Sequence, residues 1–307
     1  MSKLVTDLLV RAAAEVLACP DCGGTLAVDV AAPALVCKAG GHEYPVRDGV
    51  LQFLPSQAVT PELEHRRRVA RHHANDDAST LLSVVGRHHS IPAMRYYVAR
   101  LVHTFASGDW LLDLGAGWGW HWMFAPLTPF VLAVDLSHDN LVLARRLVRS
   151  SRVLFVCADA TRLPVRTGTI AGVWTVQMLE HLPPRLCASA IAELARVMRA
   201  DARLEYHGRN LGAADAFVRA VSALRHAGAV AQDALRPRRG TAKRLVCEWK
   251  HAGGEAGDIT LSWSELLFHP SIGLRPVKYP LSLERMTALY APFLARLLAR
   301  QVRVSIR

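Results

Sequence analysis

The chain has 307 residues, of which 51% are hydrophobic and 21% charged; this excludes wholesale disorder and allows one full α/β core plus a small appendage. The formal net charge of +11 favours anionic partners in general, without choosing among nucleic acid, a membrane surface and a phosphorylated substrate. No run approaches the roughly 20 apolar residues of a membrane span. Asp7, Arg11 and Glu15 break the apolar stretch a signal peptide would need, so the expectation is a cytoplasmic protein.

Residues 1–18 have the spacing of an amphipathic helix. Residues 19–54 are turn-rich and cysteine-bearing, and Pro55 closes them. They begin with C-P-D-C, then fourteen residues to Cys37, then four to His42. C-x-x-C is a usual zinc half-site and Cys3His a usual structural donor set, so Cys19, Cys22, Cys37 and His42 are the candidate ligands. Metal would supply the folding energy that so short a segment cannot draw from burial. Cys157, Cys187 and Cys247 are scattered in apolar surroundings and read as reduced core thiols. Six cysteines in this pattern suit a metal in a reducing compartment rather than a disulfide framework.

Residues 56–90 read as a linker, polar over 56–85, with the run His65-Arg66-Arg67-Arg68 and the pair His72-His73. A helix follows, with Pro92 at a first helical position. Then come four apolar runs of strand length: W-L-L-D-L, F-V-L-A-V-D, V-L-F-V-C-A-D and I-A-G-V-W-T-V. Helical stretches follow the second and the fourth, the latter at 187–199 with Ile191, Leu194, Ala195 and Met198 in register. R-L-E-Y-H-G is a fifth strand. Near-continuous apolar strands between helices predict a doubly wound, Rossmann-like, mostly parallel sheet covered on both faces. Beyond it lie a helix, the basic run 236–244, the strand-like pieces D-I-T-L-S-W and V-R-V-S-I, and an amphipathic helix near 284–299.

Chemistry concentrates at the strand ends. L-L-D-L-G-A-G-W-G puts Asp113 near the end of the first strand and Gly115, Ala116, Gly117 and Gly119 in the turn after it. A turn of this kind lets backbone approach a ligand outside the sheet. The spacing G-x-G-x-G, with an acid two residues ahead, disfavours a nicotinamide dinucleotide, whose pyrophosphate the carboxylate would repel. A ligand bearing an ammonium group would be attracted instead. Asp135 ends the next strand, 22 positions after Asp113, where ribose hydroxyls are bound. Asp159 ends the third strand, and T-V-Q-M-L-E-H-L ends the fourth.

These four motifs in order, over residues 91–206, resemble the class I S-adenosylmethionine-dependent methyltransferases. The resemblance implies that Asp113 and the turn Gly115–Gly119 hold the methionine portion of S-adenosylmethionine. It implies that Asp135 binds the ribose, Leu136 packs on adenine, and Asp159 with the Ala160 backbone takes the adenine amino group. Gln177 and Met178 would line the cleft beside the sulfonium, and His181 would be the general base. The cysteine segment resembles zinc ribbons found ahead of methyltransferase domains. Examples are the bacterial large-subunit rRNA guanine-N1 methyltransferases and, through Y-P-V-R-D-G-V-L-Q-F-L, the small zinc-binding activator of tRNA and protein methyltransferases. Many relatives carry a second C-x-x-C where this chain has only Cys37, which leaves His42 as the fourth ligand.

On this reading residues 1–55 are helix plus zinc ribbon, 56–90 linker and 91–307 the methyltransferase domain, with an acceptor lid at about 207–285. The expected reaction is methylation of oxygen or nitrogen on a small-molecule acceptor (a sugar, glycan or natural product). T-V-Q-M-L-E-H-L resembles the small-molecule branch, and the chain has no N-P-P-Y type of motif. An RNA acceptor remains open because of the ribbon, the charge and the basic runs at 66–71 and 236–244. A non-catalytic binding protein that keeps the fold also remains open, although the intact first motif speaks against it.

Overall fold

Strands that are apolar on both faces must be covered on both faces, and that requirement organises the molecule. The computed structural model describes residues 3–29, 31–54, 91–123, 125, 127–209, 245, 248–249, 259–266 and 299–306. In chain order the elements are α1 (Lys3–Glu15), β1 (Leu26–Asp29), β2 (Ala34–Cys37), β3 (Glu43–Arg47), β4 (Val50–Gln52), α2 (Ile91–Val102), β5 (Trp110–Leu114), β6 (Phe130–Asp135), α3 (His138–Leu147), β7 (Val153–Cys157), β8 (Ile170–Val176), α4 (Pro184–Val197), β9 (Met198–Arg209), β10 (Ile259–Leu266) and β11 (Ala299–Ile306).

The strands form one sheet in the order β1-β2-β3-β4-β7-β6-β5-β8-β9-β11-β10. From β4 to β9 every neighbouring pair is parallel. β11 runs antiparallel between β9 and β10. The direction of winding reverses between β5 and β8, which opens a ligand crevice at their carboxyl ends. One face carries Met94, Val98 and Leu101 of α2 and Leu141 and Ala144 of α3. The other carries Leu9 and Ala12 of α1 and Ile191 and Leu194 of α4. Along β5 the side chains alternate between these two cores, Leu111 facing one and Leu112 and Leu114 the other. The expected strands all appear, and α3 and α4 follow β6 and β8. Cys157 and Cys187 are buried free thiols. The linker 56–90, the basic runs, Cys247 and nearly all of the expected lid lie outside the described residues. So does the helix expected near 284–299, save Ala299, which begins β11.

The N-terminal segment is built into this sheet. Its hairpins are antiparallel, and β3 turns into β4 through Asp48-Gly49 with φ of 51° and 76°. Two consecutive positive φ values make the tight turn whose twist suits a hairpin. β4 then pairs in parallel with β7, Leu51 opposite Val156 and Gln52 opposite Cys157. The Phe53 N–H donates to the Cys157 carbonyl at 2.9 Å. A second seam lies at the end of α1. The Arg166 guanidinium donates to the carbonyls of Ala13 and Ala14 in the last turn of α1 and to that of Leu17 just beyond it. Ala18 N–H reaches the Pro164 carbonyl at 3.1 Å, and Trp110 Nε1 donates to Glu15 Oε2 at 2.7 Å.

Arg166→Ala would strand three carbonyls at or just past the end of α1. A loss of about 2–3 kcal/mol is expected, since each buried unpaired group costs roughly 1–3 kcal/mol and water reaches part of this seam. Urea unfolding of the variant and wild type measures it, and a loss under about 0.5 kcal/mol would show that the seam adds nothing to stability.

Candidate functional site

The parallel register builds a staircase of acids. Asp113 lies opposite Ala133, two positions before Asp135; Asp135 lies opposite Cys157, two positions before Asp159. Asp113 is buried, and its Oδ2 accepts the indole N–H of Trp122 at 2.6 Å. Burial pushes this carboxyl up from 3.8 to about 7; the Trp122 bond opposes the shift and the nearby Asp135 charge adds to it. Burial also raises Asp135, against the pull of the Ser137, Gly117 and Leu136 amides. Its Oδ2 takes the Gly117 N–H at 2.8 Å and its Oδ1 the Ser137 N–H at 2.8 Å. The glycine turn is tied to the same place, because the Gly115 and Ala116 amides donate to the Val134 carbonyl. Asp113, Asp135 and the turn therefore share one cradle. A carboxylate offers about four acceptor sites, so these amides leave Asp135 with acceptor capacity to spare.

Gly115 has a φ of 77°, and a Cβ there would run into the Met178 side chain. That contact brings the fourth motif against the first across the β5/β8 crevice. Gln177, just past β8, also holds a left-handed φ of 51°, and its N–H donates to the His207 carbonyl at 2.7 Å. A non-glycine residue in that region stores strain that its surroundings must over-determine. Asp159 is partly buried at the third strand end, and its Oδ1 is engaged by the amide and hydroxyl of Thr161, both at 2.9 Å. Leu136, just past β6, and Ala160, next after Asp159, are partly buried.

The E-H pair splits. Glu180 is buried and accepts from the Tyr206 hydroxyl at 2.7 Å, while His181 is exposed on a 3-10 turn, Leu179–His181. Glu180 is therefore a structural anchor between that turn and β9. Two features escaped the sequence reading. Trp122 holds the Asp113 carboxylate. A row of rings (Tyr97, His207, Trp174, His121, Trp120) also backs the crevice, with successive centroids 4.1–5.7 Å apart. The tryptophan-rich run after the glycines was its signal, and only the folded chain shows which ring meets the acid.

Cys19, Cys22, Cys37 and His42 converge, with one donor atom from each lying within 4.8 Å of all the others. Cys22 Sγ is 3.4 Å from Cys37 Sγ, and Cys19 Sγ is 3.3 Å from His42 Nδ1. Tetrahedral zinc with ligand bonds of about 2.0–2.3 Å sets its donors roughly 3.5 Å apart, so the set fits the ion. The Gly40 amide, 3.4 Å from Cys37 Sγ, draws that thiol down to about 6 and favours the ligating thiolate. Tyr44 lies 2.9 Å from Cys19 Sγ and donates to Asp21 at 2.8 Å; Asp21 in turn faces Arg162 at 3.3 Å, in the loop after Asp159.

Asp113 gives a pH signature. A carboxyl raised in the folded state contributes stability in full below its ordinary 3.8 and loses it as the pH rises through about 7. Asp113→Asn removes that loss. In thermal unfolding without ligand, the variant should gain on wild type as the pH rises from about 5 to about 8. A constant difference would mean that Asp113 titrates as an ordinary surface acid.

Residues 111–201 match the family described as "Methyltransferase domain", and residues 13–49 match the family described as "Trm112p-like protein". The chain is 32% identical over 105 residues to the methyltransferase GfsG of Streptomyces halstedii, covering 32% of this chain and 37% of that one. It thus spans little more than a third of that relative. A UPF0434 protein of Stutzerimonas stutzeri is 42% identical over 52 residues, 17% of this chain and 85% of that one. Geranyl diphosphate C-methyltransferase of Streptomyces coelicolor shares the fold, with a TM-score of 0.54 and 13% identity over 82% of this chain and 99% of that one. Residues 111–201 thus form a methyltransferase domain of the class I S-adenosylmethionine-dependent kind, preceded by a Trm112p-like segment whose Cys3His cluster makes it a zinc ribbon.

Proposed function

We propose that this protein methylates an oxygen or nitrogen of a small-molecule acceptor, a sugar, glycan or natural product. The observation that carries the enzyme reading is the pair of carboxylates, Asp113 buried and Asp135 partly buried, gathered on one glycine turn. A buried acid held beside a second, partly buried one is costly to ionise unless a cationic ligand offsets the charge. S-adenosylmethionine supplies a methyl group on a sulfonium, an electrophile that needs an aligned nucleophile and a dry cleft.

Each residue has a stated part. Asp113 and Gly115–Gly119 bind the amino acid end, and Asp135 binds the ribose hydroxyls. Leu136 packs on the adenine, while Asp159 and the Ala160 amide take its amino group. Gln177 and Met178 line the crevice on the acceptor side. His181 accepts the proton of the acceptor nucleophile from the exposed rim of the crevice. Cys19, Cys22, Cys37 and His42 hold zinc, which fixes the ribbon and through β4 the edge of the catalytic sheet.

The small-molecule reading is supported by the resemblance of T-V-Q-M-L-E-H-L to that branch. It agrees with the S. coelicolor enzyme of like fold, whose crystal structure holds geranyl diphosphate. An RNA acceptor is the second reading, favoured by the Trm112p-like ribbon and the net charge of +11. Incubation with methyl-labelled cofactor separates them. Label is expected in the low-mass fraction of a cell extract; label in bulk RNA would select the second reading. Cofactor binding with no transfer to either would make the chain a binding protein.

His181→Gln should lower kcat about 100-fold at neutral pH, the usual share of a general base. A fall of less than about fivefold would leave His181 a shaping role only. Native mass spectrometry should find one zinc per chain and none in Cys37→Ser, whose thermal midpoint should fall; a metal-free wild type of equal stability would overturn the zinc assignment.

A further inference from the structure

β4 covers only the upper part of the β7 edge. It pairs with Val156 and Cys157, so Val153, Leu154 and Phe155 have no strand on that side among the described residues. A cleft of about 530 Å3 opens there, between the Asp48-Gly49 turn, the N-terminal helix and the end of α3. Arg145, Arg146 and Arg149 line it together with Ser150 and Ser151. All three arginines are exposed, and none has a hydrogen bond or ion pair among the described residues. The nearest acid of the turn, Asp48, faces His138 at 3.3 Å instead. The Arg145 guanidinium lies against Gly49, close enough that a Cβ there would collide with it.

Helix-end electrostatics explains only part of this group. Arg145 and Arg146 stand in the last turn of α3, where the carbonyls carry roughly half a negative charge. Arg149 lies beyond the helix, and three guanidiniums far outweigh half a charge. Leu8, Val148 and Phe155 supply apolar walls that strengthen the field inside the cleft. Such a concave cationic site, with forked donors and two hydroxyls, suits a phosphate ester.

We propose that this seam between ribbon and methyltransferase domain is a phosphate-ester binding site, distinct from the cofactor cradle. It lies at the amino end of β7, whereas Asp135 and Asp159 stand at the carboxyl ends of their strands. A ligand held here is anchored to the protein without its phosphate taking part in the transfer. The phosphate ester comes either from a free phosphorylated metabolite or from a nucleic-acid backbone.

The test uses the full chain and two probes, ribose 5-phosphate and a twelve-residue oligouridylate. Binding is measured by calorimetry for wild type, Arg146→Gln/Arg149→Gln and the charge-matched control Arg100→Gln/Arg185→Gln. The variants keep Arg145 on Gly49, and unchanged S-adenosylhomocysteine binding certifies their fold. Loss of affinity by roughly tenfold per arginine is expected for the cleft pair and less than about threefold for the control. If ribose 5-phosphate shows this loss, a free phosphate ester is the ligand. If only the oligouridylate shows it, the source is a nucleic acid. If neither probe binds, or both pairs lose affinity equally, the proposal is overturned. Should the double variant fail its fold check, Arg149→Glu alone gives the same reading.

Discussion

Two neighbouring carboxylates, Asp113 buried and Asp135 partly so, are the constraint on which the proposed cofactor site rests. Burial opposes the ionisation of both, and the Asp135 charge adds to the rise at Asp113, whose carboxyl reaches about 7. The surrounding structure is arranged to hold them there. Gly117 and Ser137 amides anchor Asp135, Trp122 anchors Asp113, and the Val134 carbonyl ties down the turn between them. The local instability is the usual cost of a preorganised site, because a cationic ligand then meets fixed charges without having to reorganise them.

The same kind of arrangement appears at the fourth motif, past the end of β8. Gln177 adopts a backbone conformation that its own side chain disfavours, and the His207 carbonyl keeps it there. Met178 can then lie on Gly115, which only a residue without Cβ permits. Glu180, buried against Tyr206, fixes the turn that presents His181 at the surface. The fourth motif thus divides between an inward acid that holds the turn and an exposed imidazole.

The ribbon is an edge of the catalytic sheet as much as a metal module. β4 joins β7, Arg166 closes the end of α1, and the Tyr44–Asp21–Arg162 chain links the cysteine cluster to the loop after Asp159. Metal at the cluster would therefore bear on the third strand end, where an adenine would lie. Because β4 is only three residues long, no strand among the described residues pairs with the lower edge of β7, and the arginine-lined cleft lies there.

Much of this was legible in the residues alone. Four near-continuous apolar runs, with helical stretches after the second and the fourth, pointed to a parallel sheet, whose strands are buried on both faces. The acids at Asp113, Asp135 and Asp159 declared themselves by standing at strand ends, and C-P-D-C with Cys37 and His42 by the spacing a metal requires. These are local patterns of period, composition and short spacing. Long-range register was not legible: that Leu51 would pair with Val156, that Trp122 would bond Asp113, or that Glu180 and His181 would face opposite ways. Those depend on which surfaces meet after the chain has closed on itself. Such meetings are settled by packing between residues up to about a hundred positions apart, which no local pattern in the chain encodes.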